Sequence, residues 1–222
     1  MTAVLVAAGS STRMGFDKLS FDLGGETVLE RSVRAFDECP EVDELVIVTG
    51  ASSENAQRAA ARCKKPVRLV KGGSTRAESA RSGVAAAHGR LVAVHDAARP
   101  FVSQSVIADT IAAAARCGAA APAVPVKDTI KTVAEDGAVT GTPDRSTLRA
   151  VQTPQVFEAD LLKAALQSAL ENEIPVTDDC SAVERLGKRV YLVEGDEENL
   201  KITTPVDLIL AEAILQARED RI

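Results

Sequence analysis

Short apolar runs recur along the first half of the chain, at Ala3–Ala7, Leu45–Val48, Val67–Val70, Leu91–Val94 and Ala119–Val124. Rich in Val, Leu and Ile, each reads as a buried strand. Between them the apolar positions fall at helical spacing: Val28, Leu29, Val33 and Phe36; then the segments 53–62 and 77–87; then Val106, Ile107, Ile111 and Ala115. Strand alternating with helix implies an α/β fold, a largely parallel sheet covered by helices. After Pro125 the pattern changes. The runs 126–133 and 138–140 flank the acidic turn Ala134-Glu135-Asp136-Gly137, the signature of a β-hairpin. With few large apolar residues, this hairpin cannot bury a core of its own and is expected to project as an arm, with a partner subunit as its natural cover. Helical periodicity returns at 159–170 and 178–186. A strand at 190–193 follows, then a helix opening at Pro205.

Composition narrows the classes. A chain of 222 residues, 45% hydrophobic and 26% charged, suits one folded domain over 1–222, with the arm at about 126–147. A formal net charge of -6 argues against a nucleic-acid surface, so any cationic site must be local. The apolar start lacks a preceding basic segment and is too short for a signal peptide, and no stretch approaches a membrane span, so a cytoplasmic location is expected. Cys39, Cys63, Cys117 and Cys180 form no C-x-x-C pair and read as small buried residues. His88 and His95 are the only histidines, which excludes a mechanism built on several imidazoles.

Chemistry concentrates where strands end. The first runs into Ala7-Ala8-Gly9-Ser10-Ser11-Thr12-Arg13-Met14-Gly15-Phe16-Asp17-Lys18. Small residues let backbone N–H groups approach phosphate oxygens, Arg supplies a planar donor fork, and Lys a mobile point charge. The spacing is neither a Walker A loop nor G-x-G-x-x-G, which disfavours an ATPase and a nicotinamide dehydrogenase. A second loop, Lys71-Gly72-Gly73-Ser74-Thr75-Arg76-Ala77-Glu78-Ser79, follows the third strand and opens a helix. The fourth strand ends in His95-Asp96-Ala97-Ala98-Arg99. In an open parallel sheet all three loops share the ligand edge. Asp96 suits Mg2+, an ion usually shared between one or two carboxylates and substrate phosphates; its rival role is a helix N-cap. His95 reads as a hydrogen-bonded structural residue.

The segment Val92-Ala93-Val94-His95-Asp96-Ala97-Ala98-Arg99 resembles the signature of the 2-C-methyl-D-erythritol 4-phosphate cytidylyltransferases. Further segments match that family in order: Val126-Lys127-Asp128-Thr129-Ile130-Lys131, Thr142-Pro143-Asp144-Arg145, Gln152-Thr153-Pro154-Gln155, Thr177-Asp178-Asp179-Cys180-Ser181-Ala182 and Asn199-Leu200-Lys201-Ile202-Thr203. The resemblance implies a Rossmann-like nucleotidyltransferase core and a homodimer joined through the hairpin arm. It implies that Ala7, Ala8, Gly9, Ser11, Gly73, Ser79 and Ala97 bind CTP, that Arg13, Lys18 and Lys201 surround the reacting phosphates, and that Asp96 carries the magnesium. Arg99 and Thr153, with Thr129 and Arg145 from the partner's arm, are then expected near the acceptor phosphate. The chain departs from the family where Ser11 replaces a second Gly, where Phe16-Asp17-Lys18-Leu19 replaces a Pro-Lys-Gln triplet, and where Ser74 stands in place of a common Asp.

The implied reaction joins a polyol phosphate to the α-phosphorus of CTP. A phosphomonoester carries about -1.5 to -2 charge at neutral pH, so it needs no general base. The scarcity of histidine then has a reason: positioned cations and Mg2+ answer the repulsion between polyanions. The nearest rival is a ribitol 5-phosphate cytidylyltransferase. More distant ones are a nucleotidyltransferase for a sugar 1-phosphate or molybdopterin, and a non-catalytic nucleotide-binding scaffold.

Overall fold

The computed structural model describes residues 1–9, 17–50 and 53–220. In chain order the elements are β1 (Thr2–Ala7), α1 (Val28–Asp37), β2 (Glu44–Thr49), α2 (Glu54–Ala61), β3 (Val67–Lys71), α3 (Arg76–Ala85), β4 (Leu91–Asp96), α4 (Gln104–Cys117) and β5 (Ala119–Pro125). The arm carries β6 (Thr132–Val133) and β7 (Val139–Gly141). Then come β8 (Arg149–Val151), β9 (Gln155–Glu158), α5 (Ala159–Glu171), α6 (Asp179–Arg185), β10 (Tyr191–Glu194) and α7 (Pro205–Glu219).

Eight strands form one sheet in the order β10-β5-β9-β4-β1-β2-β3, with β8 added on β5. The pairs β1–β2, β1–β4, β2–β3 and β5–β10 are parallel, as the alternation of strands and helices predicts. Successive side chains divide cleanly between the faces. Ala3, Leu5, Leu45, Ile47, Ala93 and Val156 pack under α1, α2, α4 and α7; Val4, Val46, Val48, Val92, Val94 and Phe157 pack under α3, α5 and α6.

One strand departs from the parallel reading. β9 runs antiparallel between β4 and β5, with Val94 opposite Gln155 and Ala120 opposite Val156. Val156 and Phe157 are both fully buried, on opposite faces. Each such side chain contributes roughly 1.5–3 kcal/mol, offsetting a large part of the cost of ordering so short a strand, and hydrogen bonding to β4 and β5 on both sides adds to it. The reversal carries Gln152–Gln155 to the edge where β4 ends.

Local chemistry sets the helix starts at that edge. Thr75 caps α3: its hydroxyl accepts from Glu78 N at 3.1 Å, and Glu78 Oε2 accepts from Thr75 N at 3.2 Å. This box fixes Arg76 as the first helical residue. The arm's turn forms as expected, with Gly137 at φ 83° and its N–H donating to Ala134 O at 3.0 Å. β6 and β7 pair only with each other and leave Ile130, Val133 and Val139 exposed. All four cysteines are free; Cys39 and Cys180 are buried, while Cys63 and Cys117 are only half-buried. Among the described residues no helix is long and apolar enough to cross a membrane.

Candidate active site

Because β1, β2, β3 and β4 run parallel, the loops that follow them open on one edge. Gly72 shows how closely two of these loops meet: a Cβ there would lie 2.5 Å from Ala8 Cβ and 2.8 Å from Ser79 Oγ. Only glycine fits this approach. Gly73 N–H donates to Ser79 Oγ at 3.2 Å, so Ala8, Gly73 and Ser79, three of the residues expected at the nucleotide, lie close together, with Ser79 buried beneath the loop. Ala97 lies against the same strand, its N–H donating to Val6 O at 3.2 Å. Ser11 and Arg13 lie outside the described residues.

Asp96 is the last residue of β4 and the centre of a charged cluster. Its Oδ2 accepts from Lys201 Nζ at 2.7 Å and its Oδ1 from Arg76 Nε at 3.2 Å. Arg76 reaches on through Nη2 to Asp179 Oδ2 at 2.9 Å. Lys18, in a single 3-10 turn, donates from Nζ to Ile202 O at 2.7 Å and so stands beside Lys201. Of the expected residues, Lys201 thus pairs with Asp96, and Lys18 is tied to the segment that carries Lys201. Burial works against ionisation of Asp96, but Arg76, Lys201 and Arg99 hold its carboxyl well below the usual range. Lys201 and Lys18 thus bring mobile ammonium groups to the end of β4, while Arg76 is already shared between Asp96 and Asp179.

Behind Asp96 a chain of neutral hydrogen bonds fixes the strand end. Asp96 N–H donates to Thr153 Oγ1 at 3.1 Å, and the Thr153 hydroxyl donates to His95 Nδ1 at 3.0 Å. His95 Nε2–H donates to Arg99 O at 3.1 Å. His95 is fully buried, and that burial lowers its pKa to about 4, keeping the ring neutral. This is the structural role expected of it. Thr153, expected to face the acceptor phosphate, is 3% exposed and spends its hydroxyl on Asp96 and His95. Arg99 donates from Nη1 to Asn199 O at 2.6 Å, while its Nε is buried without a partner.

Thr129 and Arg145 lie on the exposed arm. Arg145 Nη1 donates to Lys127 O at 2.5 Å, within the arm itself. Within one chain these two are not part of the Asp96 cluster.

Several residues that build the site carry no role in the sequence reading. Arg76 sits inside a Gly-Gly turn whose only legible signal is a helix start, and its partners are 20 and 103 positions away. Gln155 accepts from the N–H groups of Asp179 and Cys180, both at 3.0 Å, tying α6 to β9. Gln152 and Asn199 join at 3.2 Å and hold the 196–199 loop to the same edge. Their presence in the segments quoted above is the one signal that could have singled them out.

Asp96 also fits a metal. Among the described residues no group of three or more His, Cys, Asp or Glu side chains could cage an ion. A single carboxylate at the open edge of the sheet is compatible with Mg2+, which commonly takes one or two carboxylates and completes its shell with substrate phosphates and water.

The chain matches the family model described as 2-C-methyl-D-erythritol 4-phosphate cytidylyltransferase over residues 1–217. It is 47% identical to a protein of that name from Symbiobacterium thermophilum over 220 residues, covering 97% of this chain and 93% of the relative. A second protein of that name, from Caldanaerobacter subterraneus, is 45% identical over 224 residues, covering 97% and 99%. Among solved structures, 4-diphosphocytidyl-2C-methyl-D-erythritol synthase from Anaerococcus prevotii superposes with a TM-score of 0.88 at 34% identity, covering 97% of both chains.

Proposed function

The chain belongs to the 2-C-methyl-D-erythritol 4-phosphate cytidylyltransferase family, and on that premise we propose how its own residues perform the transfer. The enzyme is a nucleotidyltransferase that moves CMP from CTP to 2-C-methyl-D-erythritol 4-phosphate, forming 4-diphosphocytidyl-2-C-methyl-D-erythritol and pyrophosphate. A phosphate oxygen of the acceptor attacks the α-phosphorus of CTP; the bond from that phosphorus to the bridging oxygen of the β-phosphate breaks, and pyrophosphate leaves with the electron pair.

The observation that carries the reading is the pairing of Lys201 with Asp96 at the end of β4, with Lys18 tied to the neighbouring Ile202. Lys18 and Lys201, with Arg13 from the loop after β1, surround the triphosphate. Ala7, Ala8, Gly9, Ser11, Gly73, Ser79 and Ala97 line the cytidine side, where backbone groups face the base. Mg2+ held by Asp96 would neutralise phosphate charge and so ease both the approach of a second polyanion and the departure of pyrophosphate. Arg99, half-buried beside Asp96 and tied through Nη1 to Asn199 O, is assigned to the acceptor phosphate. Thr153 serves the same side from behind, by holding Asp96 and the His95–Arg99 segment.

Thr129 and Arg145 complete the acceptor site from a partner's arm. The support is that the arm leaves Val133 and Val139 each 61% exposed, a surface that a second copy would cover. A cytoplasmic location accords with four free thiols. The test is pyrophosphate release from CTP and methylerythritol phosphate in the presence of Mg2+, and its loss in Lys201→Ala. Undiminished release from that variant would remove Lys201 from the mechanism.

A further inference from the structure

Asp96 has two carboxylate oxygens, and the structure gives each to a different kind of cation. Arg76 is held on several sides. The Thr75–Glu78 capping box fixes its backbone, and its guanidinium forks between Asp96 Oδ1 and Asp179 Oδ2. Asp179 is 1% exposed, and its N–H is bonded to Gln155, which sits on β9 opposite Val94 of β4. The path from β4 through β9 and α6 to the start of α3 thus closes back on Asp96 through one guanidinium. Lys201 lies outside any helix or strand, its side chain is 39% exposed, and it reaches Asp96 Oδ2 from the end of a flexible four-carbon stem.

We propose that Arg76, braced by Asp179, is the positioning residue that keeps the Asp96 carboxylate aimed at the metal-bearing triphosphate, while Lys201 is an exchangeable placeholder on its second oxygen. The inference rests on the cytidylyltransferase reading and adds to it a division of labour between the two cations. When a nucleotide with its divalent cation arrives, Oδ2 is the oxygen that comes free. Lys201 transfers its ammonium to a phosphate, and Arg76 stays. A planar fork spanning two carboxylates can do this; a single ammonium in its place cannot span them both.

Calorimetric titration of CTP without acceptor, with and without Mg2+, separates the two roles. In the wild-type enzyme Mg2+ is expected to tighten CTP binding. Arg76→Lys and Arg76→Gln are expected to lose about tenfold or more of that tightening, within the usual range of coupling between two ligands, with metal-free CTP affinity little changed. Asp179→Asn should shift the same coupling in the same direction. Lys201→Ala should do the reverse, weakening metal-free CTP binding while keeping the metal effect. Full metal coupling in Arg76→Lys would overturn the proposal. So would failure of the Arg76 variants to fold by circular dichroism, since the bridge would then be structural only. A wild-type chain that binds no CTP would overturn the cytidylyltransferase reading and this proposal with it, a result distinct from intact coupling in the variants.

Discussion

Removing the ammonium of Lys201 takes away a charge 2.7 Å from Asp96, yet leaves that carboxylate paired with Arg76. Lys201→Ala should therefore lower kcat by about 10²-fold or more, the usual cost of losing one positioned donor to transition-state charge. Its melting temperature should change little. Parallel steady-state kinetics and thermal unfolding check both. Far from the site, Glu44 shows the opposite case, a residue that matters for stability. Burial opposes its charge, but the Thr2 hydroxyl and the backbone and ring N–H groups of His88 hold its pKa down to about 2. A depressed carboxyl pKa gives stability that is present above the unfolded value of 4.5 and lost as pH falls toward about 2. In denaturant titrations between those pH values, Glu44→Gln should show a shallower acid loss than wild type; an equal slope would count against this linkage. At this scale Asp96 was legible, because it ends an apolar run on the ligand edge, and so was the structural role of His95. Arg76 was not. Nothing local marks a guanidinium whose two partners lie on other elements.

Close approach of elements makes two glycines informative. A Cβ at Gly83 of α3 would lie 2.4 Å from Val4 Cγ1 and 2.6 Å from Val48 Cγ2, in the contact of that helix with β1 and β2. Gly83→Ala should cost about 1–3 kcal/mol by overpacking, read as a lower melting temperature. Gly72→Ala intrudes instead where the loops after β1 and β3 touch, so a raised KM for CTP is expected alongside a smaller stability loss. The helices and parallel strands could be read because their apolar spacing is a property of each segment alone. β9 could not. Gln155-Val156-Phe157-Glu158 is too short to show a period, and its antiparallel insertion between β4 and β5 depends on strand neighbours that spacing does not encode. The reversal is also what brings the Thr153 hydroxyl to Asp96 N and His95 Nδ1, a contact that spacing does not encode.

For the whole molecule, the hairpin was legible as an arm because its segment has too few large apolar residues for a core. The same poverty leaves its cover unnamed, since exposed Val133 and Val139 do not say what packs on them. If Arg145 acts across the dimer, mixing Arg145→Ala and Lys201→Ala subunits should restore activity that neither variant has alone, because each mixed dimer regains one intact site. No recovery after subunit exchange, verified by native mass spectrometry, would confine Arg145 to its own chain. The account as a whole stands on cytidylyl transfer to a methylerythritol phosphate at the Asp96 edge. Pyrophosphate release with Mg2+, measured for CTP and UTP against 2-C-methyl-D-erythritol 4-phosphate and ribitol 5-phosphate in parallel, tests it most directly. Membership of the family predicts rapid release only for CTP with methylerythritol phosphate; equal or faster release with ribitol 5-phosphate, or none with any pair, would contradict it.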